Sequence, residues 1–426
     1  MEKTATNRSC RRPTHRILAR SFMALGAAAA PFLLEIQANA QEWTFEPSVS
    51  VREVFTDNAL LTSENEESDF ITTLTVGWDL VGEGDRLQID LSALVSYDKY
   101  IEFEELDGFR PEFLAVAEFE AIENTLFFDV RGRVFDRNIS RSTATPAVDR
   151  SIDTNRTLVT DFSGGLRFLQ DLNSQVAVNG QLQVATTAFN KPDVGDDTGA
   201  PDNEQDVQGR LGIGSSRPDA RLQWEASGQF REEFGGGSDF SYQSGQLRVE
   251  YQFLRQFAAF LVGGYDEFDA ADINEDERSG GFGLFGVRVQ PGPRLSFEGS
   301  VGYRYGDLSG EASLNYQVGA FTSINAIYTE GVGTQQQEFN RGLNDLGFDE
   351  ETGALVDALG LPPAVFDDDI SLIDRSSKNS RLSVGVIRET PRTGFTANGF
   401  YLKRKFDSLG QDETVAGVDA SFRYSA

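Results

Sequence analysis

Arg294-Leu295-Ser296-Phe297-Glu298-Gly299-Ser300-Val301-Gly302-Tyr303-Arg304-Tyr305 alternates at period two. Leu295, Phe297, Gly299, Val301, Tyr303 and Tyr305 fall on one side; Arg294, Ser296, Glu298, Ser300, Gly302 and Arg304 fall on the other. Successive side chains of a β-strand point to opposite faces, so this stretch is an extended strand with one apolar and one polar face. The same alternation runs outward in both directions, from near Trp43 to the C-terminus, in segments of roughly 10–16 residues.

Eight tight turns separate these segments in pairs: Val81–Asp85, Ala121–Asn124, Leu169–Asn173, Ser215–Asp219, Phe253–Gln256, Val289–Pro293, Gln317–Ala320 and Arg388–Arg392. Gly, Pro, Asn and Asp supply most of their turn chemistry. The intervening connections are longer and acidic, as at Thr62–Asp69, Ile101–Phe109, Asn138–Asn155, Asn190–Asp206 and Asp266–Arg278. Eight hairpins plus an opening strand (Thr44–Phe55) and a closing strand (Thr414–Ser425) give about 18 strands, within a range of 16–20. Short turns on one rim and long loops on the other define an all-β, transmembrane, antiparallel up-and-down β-barrel. Its turns are periplasmic and its loops extracellular. A soluble sandwich or propeller also alternates, but soluble strands average about five or six residues. Trp78, Tyr97, Tyr100, Trp224, Tyr265, Tyr303, Tyr305 and Tyr328 lie near strand ends, where interfacial girdles sit. Hydrophobic content is 39%, and beyond the leader no run of 18 apolar residues occurs, so strands and not helices do the spanning.

The N-terminus reads as an export signal over residues 1–40, leaving a barrel domain over 41–426. Lys3, Arg8, Arg11, Arg12, Arg16 and Arg20 precede an apolar stretch from Phe22 to Leu34, and Ala38-Asn39-Ala40 fits a small-residue cleavage site. His15 and Cys10, the only His and Cys, leave with it. The mature chain then has no imidazole or thiol for a metal site, disulfide or His-based triad, and no cofactor is expected. Its charge is (38 − 6) − (67 − 2) = −33, which argues against nucleic acid as a partner.

The polar faces carry both signs of charge. Asp90, Asp129, Arg131, Arg133, Arg210, Arg221, Glu225, Arg231, Arg248, Glu250, Arg294, Glu298 and Arg304 are assigned to the lumen. An interior of about 18 strands is too wide for side chains to fill, so such charges would meet water and set ion selectivity. They would equally serve as Arg–carboxylate ladders that stiffen the wall. The outer loops are acidic at Glu64, Glu66 and Glu67, at Glu102, Glu104 and Glu105, at Asp193, Asp196 and Asp197, and at Asp367 to Asp369. Divalent cations could bridge them to lipopolysaccharide in the surrounding outer-membrane lipid. Asp272 to Glu277 begins like an EF-hand loop, but Glu277 replaces the required Gly and Gly283 the closing Glu. No catalytic constellation stands out. The stretch Glu330–Asn379 lacks alternation; Gly353–Leu361 looks helical, ended by Pro362-Pro363. It is expected to fold inward as a constriction or to lie on the surface.

The first hairpin carries a further signal: Thr56-Asp57-Asn58 after strand one, Ser68-Asp69-Phe70 opening strand two, and the turn Gly82-Glu83-Gly84-Asp85. With Leu361-Pro362-Pro363 and Thr390-Pro391-Arg392-Thr393, these resemble outer-membrane β-barrel porins, most closely those associated with exosortase (PEP-CTERM) and exopolysaccharide loci. The resemblance implies an outer-membrane barrel and a link to exopolysaccharide export components; it transfers no site residues. The closing strand, with Ala416, Val418, Ala420, Phe422 and Tyr424 on one face, is one the barrel-assembly machinery would read, although Ser425-Ala426 follow the last aromatic. The functional expectations are, in order, a passive porin-like channel, a non-conducting scaffold plugged by residues 330–379, and a carboxylate-based hydrolase.

Overall fold

A computed structural model describes residues 42–424, apart from 60–65, 139–155, 191–202, 218, 236–238, 271, 275–277, 349–354, 362–374 and 408–411. The expected export segment and the acidic residues Glu64, Asp193, Asp196, Asp197 and Asp367 to Asp369 fall outside the described set.

The first half of the wall consists of β1 (Glu42–Thr56), β2 (Asp69–Glu83), β3 (Leu87–Tyr100), β4 (Gly108–Ile122), β5 (Leu126–Asn138), β6 (Arg156–Asn173), β7 (Val176–Asn190), β8 (Glu204–Ser215) and β9 (Leu222–Gly235). It continues with β10 (Phe240–Leu254), β11 (Phe257–Ala270), β12 (Gly280–Gly292), β13 (Leu295–Arg304), β14 (Asp307–Gln317) and β15 (Thr322–Gly333). A helix, α1 (Gln335–Asn344), and a small hairpin of β16 (Gly347–Phe348) and β17 (Leu355–Val356) follow. The wall ends with β18 (Ser377–Glu389), β19 (Thr393–Lys405) and β20 (Asp412–Tyr424). Leaving aside β16 and β17, 18 strands form one sheet in which each pairs with the next. Seven of the eight expected tight turns overlap the connections between consecutive strands, and Gly319 lies in the break between β14 and β15; the eighth, expected at Leu169–Asn173, falls instead at Ser174-Gln175, because β6 runs on to Asn173.

The two faces differ as the alternation requires. Large apolar side chains stand exposed along one face, among them Val49, Leu74, Leu182, Val184, Leu211, Leu261, Val301 and Phe422; Val418 is 82% exposed. Water-soluble proteins rarely expose apolar patches beyond a few hundred Å². A continuous apolar outer band around a polar inner face belongs in lipid, and the chain is a transmembrane up-and-down β-barrel.

Three expectations are corrected. The loop rim has a tight connection of its own: Tyr305 (φ 58°) and Gly306 (φ 75°) join β13 to β14 in two residues, as a hairpin turn of positive φ requires. Tyr100 and Tyr305 are buried, not interfacial, because Tyr100 packs with Ile71 and Leu106, and Tyr305 with Phe240 and Phe268. The stretch 330–379 is not uniformly irregular: β15 runs to Gly333 and β18 starts at Ser377, with α1 and a hairpin between. The helix lies at Gln335–Asn344; of the stretch 353–361, residues 353–354 lie outside the described residues, Leu355–Val356 form a strand and a turn follows at Gly360 (φ 73°).

Candidate functional site: the charged wall and the segment folded onto it

Strand register brings the polar faces into a nearly continuous set of ion pairs. On β5 and β6, the Arg133 Nε donates to Asp161 at 2.7 Å, and Asp161 also accepts from Thr187 on β7 at 2.8 Å. Arg131 pairs with Asp129 two residues along the same strand. On β8 and β9, Arg231 reaches Asp206 at 2.6 Å and Glu233 at 3.5 Å, and Arg210 meets Glu225 at 3.2 Å. Arg248, Glu250, Arg288 and Glu298 close a four-membered ring across β10, β12 and β13, with contacts of 2.8–2.9 Å. Arg248 also lies 3.7 Å over the Phe260 ring. Nearer the loop rim, Arg304 donates to Asp266 at 2.8 and 3.1 Å and to the Tyr242 hydroxyl at 3.2 Å; that hydroxyl in turn donates to Asp266 at 3.0 Å. Charge-assisted and partly desolvated, these contacts hold neighbouring strands in register and neutralise most of the wall's charge.

The segment following β15 lies against this wall. Thr334 caps α1, accepting from the Gln337 amide, and donates its hydroxyl to Glu233 at 2.8 Å. At the far end of α1, Asn344 accepts from Ser163 on β6 and Gln183 on β7, and Gln208 on β8 donates to Gln183 behind it. The Arg131 Nε donates to the Leu346 carbonyl at 3.3 Å. Leu343, Leu346 and Leu355, with Phe348 beside them, bury against Leu114 and Val116 of β4. The chain then returns to another part of the wall. Asn325 on β15 donates to the Leu359 carbonyl at 2.6 Å, and Leu359 and Leu361 sit over Gly385 of β18. Asp357 organises that return by accepting the amides of Leu359 (2.8 Å) and Leu361 (2.9 Å). Burial raises its carboxyl above the usual range, with those two amides acting in the opposite direction. One segment thus touches β4–β7 and β9 at one end and β15 and β18 at the other, so it crosses the interior.

The loop rim carries a second cross-link. Arg278, after β11, pairs with Asp407, after β19, with Nε–Oδ2 at 3.0 Å, and donates to the Tyr305 carbonyl at 2.9 Å. Burial opposes ionisation of Asp407, but Arg278, the Asn274 amide and Lys378 outweigh it and hold the carboxyl below its ordinary range.

Of the residues the sequence singled out, Asp129, Arg131, Arg133, Arg210, Glu225, Arg231, Arg248, Glu250, Glu298 and Arg304 come together in these pairs. Asp90 stands on β3 opposite Val116, with no ion pair recorded among the described residues. Arg221 and Arg294 sit at the turn rim, just before β9 and β13, and are exposed. Sequence reasoning missed the partners Asp161, Asp206, Glu233, Asp266 and Arg288. Each lies at a polar-face position of its strand, so alternation alone could have placed them, but pairing needs register.

No family model and no curated protein matches the sequence. Among solved structures, the FrpB iron transporter from Neisseria meningitidis (F5-1 variant) aligns at 11% identity over 86% of this chain and 64% of its own, with a TM-score of 0.44. BauA, the ferric preacinetobactin receptor from Acinetobacter baumannii, aligns at 12% over 90% and 74%, TM-score 0.39. A bacterial polysaccharide outer-membrane secretin aligns at 12% over 90% and 98%, TM-score 0.29. The chain spans less than two thirds of the length of the FrpB structures.

Proposed function

We propose that the protein is a porin-like passive channel of the outer membrane whose passage is narrowed by residues 334–361. The observation that carries this reading is the placement of that segment: it packs on the polar wall through Leu343 and Leu346 at one end and through Leu359 at the other. A wall of 18 strands encloses more space than its own side chains fill, and a segment laid across it sets the width left for solutes. The paired charges of β5–β13 give that passage a polar lining on which small hydrophilic solutes can exchange their hydration. On this reading the chain carries no catalytic role. Its expected partners are the assembly machinery that inserts it, lipopolysaccharide bridged by divalent ions at its acidic loops, and, from the resemblance of its first hairpin, exopolysaccharide export components.

Planar-bilayer recording of the refolded protein tests the reading. Conductance steps are expected from the full chain, and larger steps from a variant lacking residues 335–361. Absence of steps from the full chain with steps from the deletion would make the segment a plug and the protein a scaffold. Absence from both would end the channel reading.

A further inference from the structure

The cations of the inner wall are held in ion pairs, but those of the turn rim are not. Arg217 and Arg221 lie between β8 and β9, Arg255 between β10 and β11, and Arg294 between β12 and β13; all are exposed. Arg388 and Arg392 flank the β18–β19 turn, and Arg423 is near the end of β20. Among the described residues, only Arg423 of these seven has an ion partner, Glu389 at 3.7 Å, in a pair largely open to solvent. Along the same arc, from β8 to β20, the turns hold two carboxylates, Asp219 and Glu389. The remaining turns are the reverse: Glu83, Asp85, Glu120, Glu123 and Asp171 stand against one arginine, Arg86. The described lysines, Lys99, Lys378, Lys403 and Lys405, all lie at the loop rim.

This arc is basic in a chain whose formal charge is −29. The acidic loops do not cancel it. Strands of about 14 residues, rising ~3.3 Å each and tilted about 40°, hold the two rims roughly 35 Å apart, several times the Debye length of ~8 Å at physiological salt. Arginine is also the cation whose planar fork binds carboxylate and phosphate oxygens two at a time. Directly inside the arc, a polar cavity of about 310 Å³ opens between β7 and β12, lined by Asn179, Gln223, Glu225, Arg248, Glu250 and Arg288.

We propose that the turn-rim arc from Arg217 to Arg423 is a docking surface for a polyanion, a chain bearing repeated carboxylate or phosphate groups, that reaches the barrel from the periplasmic side. Arginines spread over the turns of this arc, all but the β14–β15 turn, suit a ligand with many charges rather than one. The purpose of this capture rests on the channel reading; the binding itself does not.

The test is binding of fluorescent polygalacturonate and of polyphosphate to the full-length protein in zwitterionic phosphatidylcholine nanodiscs. At least one polymer is expected to bind, with affinity falling as salt is raised from about 50 to 500 mM. The variant Arg217→Gln/Arg221→Gln/Arg255→Gln/Arg294→Gln is expected to bind at least tenfold more weakly, and Lys403→Gln/Lys405→Gln, at the opposite rim, to bind as wild type. Preference for one polymer identifies the ligand group as carboxylate or phosphate. No binding of either, or equal binding by the turn-rim variant, overturns the proposal; so does an arc that engages only phosphatidylglycerol built into the disc. Binding without conductance would leave the arc in place and end the channel reading, and conductance without binding would do the opposite.

Discussion

At the scale of single residues, the wall contains two kinds of ion pair, separated by their access to water. Arg304 and Asp266 are almost fully buried, with side chains 9% and 1% exposed, whereas Arg210 and Glu225 are open at 47% and 37%. Removing one member of a buried pair strands the other charge and costs about 3–5 kcal/mol. Arg304→Met is therefore expected to lower stability by that order in urea titrations of the folded barrel. The double variant Arg304→Met/Asp266→Leu should recover most of the loss, because no charge is then left without a partner. Glu225→Gln should cost under about 1 kcal/mol, since an exposed pair is screened and costs side-chain entropy to hold. If the two single variants cost the same, the Arg304 site is hydrated and the contrast fails. This distinction was not legible in the sequence. Alternation assigns Arg304 and Arg210 to the same face, but depth of burial depends on Phe282 and Tyr305 stacking near Arg304, which only the fold provides.

At the scale of elements, strands and turns could be read directly because both are local. Period two declares the strand, and Gly, Pro, Asn and Asp declare the turn, so seven of the eight tight turns fell where the sequence put them and the eighth moved a few residues, from Leu169–Asn173 to Ser174-Gln175. The inward segment could not be read that way. Gln335-Gln336-Gln337 is polar, and a helix of three turns is too short to announce itself by periodicity. The signal that was present lay elsewhere. Leu114 and Val116 interrupt the polar face of β4 between Arg110, Glu112 and Glu118, and aliphatic residues on a water-facing wall call for a cover. Leu343, fully buried on them, is that cover. Leu343→Asp is expected to undock α1 and raise single-channel conductance toward that of the variant lacking 335–361, while leaving strand content by circular dichroism unchanged. Unaltered conductance would show that the helix does not set the passage. Acid should act in the opposite sense at the return turn. Because the folded turn raises the Asp357 carboxyl, it holds a proton more tightly than the undocked chain does. That contribution to docking is complete below the undocked value of about 4 and is lost as pH rises through the folded one. Conductance through this turn's influence should therefore fall on mild acidification. Asp357→Asn keeps an oxygen for the Leu359 and Leu361 amides but has no charge, so it should remove that dependence and dock the segment more tightly at pH 7. Identical pH profiles for the variant and the wild type would exclude Asp357 as the titrating group.

At the scale of the whole molecule, the same alternation that made the fold legible separates two environments across each strand. Leu182 and Gln181 are neighbours in the middle of β7, yet Leu182 stands among the exposed apolar residues and Gln181 lines a polar cavity with Arg210 and Gln229. The strand count and the rhythm of turns follow from sequence, but neither fixes which face meets lipid; that is settled by the exposed apolar face on one side and by α1 and its hairpin packing on the other. If the outer band is lipid-facing, a cation placed on it pays for leaving water, by about 2–4 kcal/mol near the bilayer midplane. A cation added to the polar wall keeps its contact with water, so it costs little even opposite Arg210, whose charge is screened there. Leu182→Arg is therefore expected to destabilise the barrel in phospholipid vesicles by about 2–4 kcal/mol, and Gln181→Arg by less than about 1 kcal/mol while shifting ion selectivity toward anions. Moving to detergent micelles should shrink the first penalty, since a micelle lets an arginine reach water more easily. Equal costs for the two substitutions in vesicles, or a larger cost at Gln181, would reverse the assignment of faces and with it the orientation of every polar residue on the wall.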